Sequence, residues 1–293
     1  MIDTDTLKSL EKKLENLEQN ILISAKLHQA TLQNLITIKD LNLNYQTDQI
    51  QANHPNPLNK FGGKCFSQTD EDGITLEIVR RLNIFEGVYA EFGVGNGLEN
   101  NTLILASLGW KGFWVGGEDL AFDYSKAQKF KYIKGWITLD TILEQAKLGL
   151  KMINTDNVDV VSIDLDGNDI YFAEKLLKNG IHPRLFIVEY NAKFIPPSKF
   201  QIMYNSEHRW VGDDYFGASL TNFDEMFKKY GYKLVCCNSH TGANAFFIRK
   251  DYEHLFSDVP EKIVDIYSPP RYYLYHNFGH KISSKVVEEI INK

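Results

Sequence analysis

Apolar residues along most of this chain come in short runs, each followed by a polar or acidic cluster. The runs over 87–92, 111–117, 132–138, 158–163 and 185–188 read as buried strands, since half-buried strands would alternate. Between them, apolar positions recur at helical spacing over 98–108, from 139 onward, and over 170–179, where Gly180 follows. Residues 74–82 read as a capped surface helix, with the acids of 70–72 in its first turn. Residues 220–230 form another helix, and 233–237 with 244–248 read as an antiparallel hairpin at a sheet edge. Strands alternating with helices predict a mostly parallel α/β sheet whose ligands lie beyond the carboxyl ends of its strands.

The first fifty residues follow a different rule. Residues 4–45 contain neither Gly nor Pro, and Leu7, Leu10, Leu14, Leu17 and Ile21 keep a 3-4 heptad spacing. The same register continues into Ser24, His28 and Thr31 before Leu35 and Ile38, so the seam weakens in its middle. Such a narrow apolar stripe needs a partner. Self-association is the first expectation, and packing on the same chain is the alternative. Asn53-His54-Pro55-Asn56-Pro57 then breaks the helix. The expected divisions are a helical oligomerisation segment 1–50, a linker 51–66, a main domain 67–255 and a C-terminal extension 256–293. That extension ends in an amphipathic helix preceded by Pro269-Pro270-Arg271-Tyr272-Tyr273-Leu274-Tyr275-His276.

Composition narrows the classes. Thirty-two basic against thirty-eight acidic residues give a net charge of −6, which disfavours nucleic acid as a partner. Three cysteines, two of them adjacent, make neither a disulfide framework nor a zinc site. No apolar run is long enough for a transmembrane segment, and the polar, acidic start argues against a signal peptide. A cytoplasmic location is the expectation.

Candidate chemistry gathers at the strand ends. Glu91-Phe92-Gly93-Val94-Gly95-Asn96-Gly97 closes the first strand, and glycines there let backbone approach a ligand closely. A purely structural turn is the plainer reading. Glu118, 25 residues beyond Gly93, ends the second strand where a ribose diol is usually held. Asp140 is read either as a helix N-cap or as a contact to an adenine edge. Asp164 and Asp166 end one strand, while Glu189 and Asn191 end its neighbour. Four oxygen donors on adjacent strand ends suit Mg²⁺ or Mn²⁺. An Asx-type turn before Gly167 is the alternative for Asp166. His240, in the hairpin loop, is the candidate base, with an ordinary surface histidine as its alternative. The aperiodic stretch 192–218 carries Trp210, Tyr215 and Phe216 as candidate platforms for a sugar, with Asp213 and Asp214 as acceptors for its hydroxyls. Core packing of those aromatics is the other possibility.

The glycine motif with its preceding Glu91 resembles the first motif of class I S-adenosylmethionine (SAM) methyltransferases. Thr138-Leu139-Asp140-Thr141-Ile142 followed by Val158-Asp159 and Ser162-Ile163-Asp164-Leu165-Asp166-Gly167 is similar to the centre of FkbM-like methyltransferases. An ordered set beginning at Ser67, Glu91, Asp166, Glu189 and Gly217 resembles one bacterial subgroup of that family, over about residues 60–250. Asp166 stands where the wider family commonly has Glu. The resemblance implies a Rossmann-like methyltransferase sheet, SAM as cofactor, and methyl transfer to a hydroxyl, often of a sugar. Carried onto this chain, it implies cofactor contacts from Gln68, Glu91, Gly93, Gly95, Gly97, Glu118 and Asp164. Read from the residues themselves, His240, Asp166 and Glu189 are the candidate catalytic groups, and Asp164, Asp166, Glu189 and Asn191 the candidate metal ligands. A carbohydrate of a surface polysaccharide or its nucleotide-linked precursor is the expected acceptor. Two rival readings remain: an NAD-dependent sugar-modifying enzyme, and a non-catalytic nucleotide fold carried on a coiled coil. The third glycine, Gly97, comes one residue early for the dinucleotide fingerprint G-x-G-x-x-G, which counts against the first of these.

Overall fold

A computed structural model describes residues 3–272 and 283–293. The stretch Tyr273-Leu274-Tyr275-His276 singled out above lies outside those residues. The chain divides into two units, 1–48 and 49–293. Helix α1 spans Thr4–Asn53 without interruption, and nearly all of its side chains up to residue 40 are exposed. It stops one residue before His54-Pro55, where a helical proline would clash with the preceding turn.

In the second unit seven strands form one sheet in the order β3-β2-β1-β4-β5-β7-β6. They are β1 (Val88–Phe92), β2 (Lys111–Gly116), β3 (Phe130–Lys134), β4 (Val160–Ile163), β5 (Leu185–Glu189), β6 (Tyr232–Cys237) and β7 (Asn244–Arg249). The first five run parallel, and β7 is antiparallel to both β5 and β6. The expected parallel sheet with an antiparallel edge hairpin is what forms. All five residues of β1 are buried, as apolar runs without alternation require. Helices α2 (Glu71–Arg81), α3 (Leu103–Ser107), α4 (Ile142–Met152), α5 (Asp169–Lys178) and α6 (Leu220–Lys229) pack around the sheet, with short α7 (Ile263–Ile266) and α8 (Ser284–Ile291) following.

Several boundaries differ from expectation for identifiable reasons. The helix read over 98–108 shrinks to α3, because Glu91 takes the N–H groups of Asn101 and Thr102 and holds that stretch as turns. Helix α4 starts after Thr141, so Asp140 is not its cap and stands exposed. Residues 51–66 are no free linker: Asn56 Nδ2 donates to the carbonyl of Val235 at 2.7 Å and Asn59 Nδ2 to that of Cys237 at 2.8 Å. Those two amides lay the segment along edge strand β6. Nor is 256–293 an appendage, since Phe256, Val259, Ile266, Val287 and Ile291 join the main core.

That core is densest beneath the hairpin. Phe227 is fully buried, stacked on Phe247 with centroids 4.2 Å apart and in ring contact with Phe186 and Tyr232. Phe227→Ala removes a side chain whose neighbours cannot collapse into the space, at a cost of about 3–5 kcal/mol. For a unit of this size we expect a thermal midpoint lower by on the order of 10 °C, read by circular dichroism. An unchanged midpoint would mean that this cluster does not limit stability.

Candidate functional site

The carboxyl ends of β1, β2, β4 and β5 open onto two adjoining cavities. One, of about 320 Å³, is bordered by Gly93, Gly95, Gly116, Glu118, Trp136 and Asp164 among others. The second, of about 460 Å³, is bordered by Gln68, Asp166, Glu189, Asn191, Phe216 and Tyr272 among others. Asp166 and Trp210 line both, and so form the wall between them.

The first cavity is shaped by backbone. At Gly93 φ is +99°, and a Cβ would stand 1.7 Å from the carbonyl oxygen of Asp164, so strands β1 and β4 approach there as only glycine allows. Gly95, also at positive φ, faces open space. Gly97 does not border the cavity: a Cβ on it would meet Leu120, Phe122 and Trp114, which makes it a packing position. Glu118 is exposed at the rim, where Tyr132 Oη donates to its carbonyl oxygen and fixes the tip of β2.

Glu91 also departs from its expected role. Its carboxylate is buried and accepts from Asn101 N and Thr102 N, both at 2.9 Å, and from Thr102 Oγ1. Thr102 Oγ1 in turn accepts from Trp114 Nε1. Glu91 therefore holds the turn after the glycines from beneath and does not line either cavity.

Three of the predicted acids do converge. One oxygen from each of Asp164, Asp166 and Glu189 lies within 4.8 Å of the others. Burial raises the Asp164 carboxyl well above the usual carboxylate range, with Asp166 and Asp169 adding repulsion. Burial does the same to Glu189, again with Asp164 and Asp166 next. Asp166, exposed at the cavity wall, is raised by the partial desolvation of that wall, against the opposing pull of His208. Glu189 Oε2 is buried without a hydrogen-bond partner among the described residues. Asn191, on the wall of the second cavity, is engaged by the long loop. Its amide donates to the carbonyls of Asp214 and Phe216, and its oxygen accepts from Lys193 N, so both ends hold the long loop.

Sequence patterns pass over several residues that matter here. Asp169 accepts from Leu165 N at 2.8 Å and Gly167 N at 2.9 Å, fixing the turn that carries Asp166 at φ +51°. His208 and Arg209 of the 192–218 loop reach the first cavity, as does Trp136 at the end of β3. His208 packs over Gly167, where a Cβ would lie 2.3 Å from its ring. Trp136 Nε1 donates to the carbonyl of Ser206, and the Arg209 guanidinium stands 5.1 Å over its ring. A large aromatic just past a strand end was the one available signal. Of the loop aromatics, Trp210 and Tyr215 are half exposed and Phe216 is buried; only Trp210 and Phe216 line the second cavity.

Gln68 parts company with the expected cofactor group, and His240 with the expected catalytic one. Gln68 borders the second cavity, not the first. His240 is buried, lines neither cavity, and its backbone N–H donates to Asp70. It belongs to a polar core that the sequence presents as helix-capping surface: Ser67, Thr69, Asp70, Glu71 and Asp72 are all buried. Asp72 accepts three backbone N–H groups, from Cys65, Phe66 and Ser67. Glu71 accepts from Thr69 N, Asn238 Nδ2 and Asn244 Nδ2, tying α2 to the hairpin.

No family profile and no curated protein matches the sequence. Solved structures do. A Nostoc punctiforme protein assigned as an O-methyltransferase is 16% identical, with a TM-score of 0.36 over 60% of this chain and 56% of that one. A precorrin-6y C5,15-methyltransferase from Geobacter metallireducens is 12% identical, with a TM-score of 0.36 over 64% and 92%. A glycopeptide N-methyltransferase complexed with S-adenosyl-L-homocysteine is 10% identical, with a TM-score of 0.33 over 60% and 86%. The chain thus spans little more than half the length of the first of these. Its fold is read from its own strand order.

The buried acids make stability depend on pH. Burial, with the Asp70 charge adding, pushes the Glu71 carboxyl from 4.5 up to about 7. An acid raised on folding favours the fold while it keeps its proton. Its contribution is whole below pH 4.5 and is lost as the pH climbs through about 7. We expect stability to fall across that window and Glu71→Gln to remove part of the fall. The thermal midpoint of the variant should then gain on that of the wild type as pH rises from about 5 to about 8. A constant difference would show that Glu71 does not change protonation on folding.

Proposed function

We propose that this chain is a SAM-dependent methyltransferase acting on a hydroxyl of a carbohydrate, such as a surface polysaccharide or its nucleotide-linked precursor. The observation that carries this reading is the pair of cavities sharing the wall of Asp166 and Trp210. A donor on one side and an acceptor on the other is the arrangement a group transfer needs, because in-line displacement depends mainly on alignment.

The residues present fit the cofactor. Backbone at Gly93 and Gly95 leaves room for a ligand, and Glu118 offers an exposed carboxylate to ribose hydroxyls. Trp136 and Ile137 offer an apolar wall to a nucleobase. Asp164, just past β4, borders the place a sulfonium would take, and that positive charge would favour the ionised form of its carboxyl. SAM supplies the methyl group and leaves as the neutral thioether. On the acceptor side Trp210, Phe216 and Tyr272 give aromatic faces, while Gln68, Asp213 and Asp214 give polar groups for sugar hydroxyls. The acceptor proton passes to a base, and Asp166, which reaches both cavities, replaces His240 in that role.

A divalent cation fits the same acids. Glu189 has an orphaned buried oxygen, and the Asp164 and Glu189 carboxyls are raised first by burial and then by the charges of their acidic neighbours. Asp164, Asp166 and Glu189 would hold Mg²⁺ or Mn²⁺, and such an ion lowers the pKa of an oxygen bound to it.

Two measurements test these readings. SAM should raise the thermal midpoint and NAD should leave it unchanged, with Glu118→Ala weakening SAM about tenfold or more by loss of charge-assisted hydrogen bonds. Stabilisation by NAD alone would favour the dehydrogenase reading, and by neither nucleotide the non-catalytic one. Methyl transfer to a panel of nucleotide sugars, followed with labelled SAM, should fall in a chelator and return with Mg²⁺ or Mn²⁺, and Asp166→Ala should abolish it. Full turnover in excess chelator removes the ion and leaves Asp166 as base alone. Methylation confined to small phenols or proteins overturns the sugar assignment.

A further inference from the structure

Helix α1 runs unbroken through the region where the strict heptad register loses its apolar residues. On such a helix, with 3.6 residues per turn, a step of four instead of three after Ile21 keeps to the same face. That step brings up Ala25, His28, Leu32 and Leu35 in line with Leu7, Leu10, Leu14, Leu17 and Ile21. An inserted four-residue step is a stutter, which unwinds a supercoil locally without ending it. One continuous stripe therefore spans residues 7–35, with His28 its single polar side chain. Its leucines and Ile21 are between 47% and 64% exposed, too much apolar surface for a helix to leave in water.

Charge chooses the occupant of that stripe. Lys13 and Glu18 flank it on opposite sides, next to Leu14 and Leu17. In a parallel, in-register pair Lys13 of one copy meets Glu18 of the other, and the twofold axis makes the contact twice. An antiparallel pair centred on Ile21 sets Lys13 against Gln29 and Glu18 against Ser24, so neither charge is paired. We propose that α1 dimerises with a second copy of this chain as a parallel, in-register coiled coil, continued across the middle of the helix by the stutter at residues 21–25.

The test uses the full chain with Cys65→Ser, since Cys65 is the exposed cysteine. Leu14→Cys in that background should give a disulfide-linked dimer on mild oxidation, because parallel register sets position 14 opposite itself. Sedimentation should show a dimer at micromolar concentration. Lys13→Glu should weaken it roughly three- to tenfold, and Lys13→Glu with Glu18→Lys should restore it. All these positions are exposed, and an unchanged thermal midpoint of the main unit checks that each variant folds. A monomer at micromolar concentration overturns the proposal, as does a trimer. Cross-linking of Leu14→Cys only with a His28→Cys chain means an antiparallel pair, which also overturns it.

Discussion

Everything at the carboxyl end of the sheet depends on one buried carboxylate finding its donors. Glu91 lies in β1, an interior strand of the sheet, where an unpaired charge would cost several kcal/mol. Burial raises its pKa, and hydrogen bonds from Thr102 and Asn101 oppose that shift. Those donors are the N–H groups of the two residues just before α3. By capturing them, Glu91 shortens the helix and locks the turn after the glycines. The first cavity then needs no side chain from the turn itself; it is bounded by backbone at Gly93 and Gly95, with Glu118 and Asp164 at its sides.

The acids at the ends of β4 and β5 pose the opposite problem. Asp164, Asp166 and Glu189 have few donors and repel one another, so their neighbourhood favours any positive charge. A sulfonium and a divalent cation are both positive, and the chelator and nucleotide titrations separate them. Asp169 follows three residues after Asp166 and does not join the group. Instead it spends both oxygens on backbone N–H groups, and its work is to aim Asp166.

Much of the fold is legible because buried parallel strands are apolar on both faces, so 87–92 and 158–163 stand out without any alternation to decode. The strand-end acids are legible for the same reason: a polar residue directly after such a run has few places to go but the ligand side. What the sequence hides is polarity turned inward. Residues 67–72 look like a helix cap facing water, yet their partners Asn238, Ser239 and Asn244 come from a hairpin about 170 residues later. Local periodicity carries no trace of such pairing. His240 is misread by the same mechanism, because a hairpin loop suggests exposure until the acid beneath it is known. The strict heptad hid the continuous stripe of α1, for a seven-residue count cannot see a four-residue step.

The two asparagines laid along β6 have a practical side. A sheet edge offers unpaired N–H and carbonyl groups to any passing strand, and proteins blunt their edges to avoid stacking into aggregates. Here the shield comes from residues 56–59, well outside the alternating strands and helices. A shorter chain begun at the first motif near residue 67 would keep every cavity residue and still lose this cover. Its weakness would be insolubility, and the safe place to begin a truncated protein is ahead of Gln49, where the second unit starts, since Gln51 Nε2 donates to Asp70 and His54 Nδ1 accepts from Asn56 N.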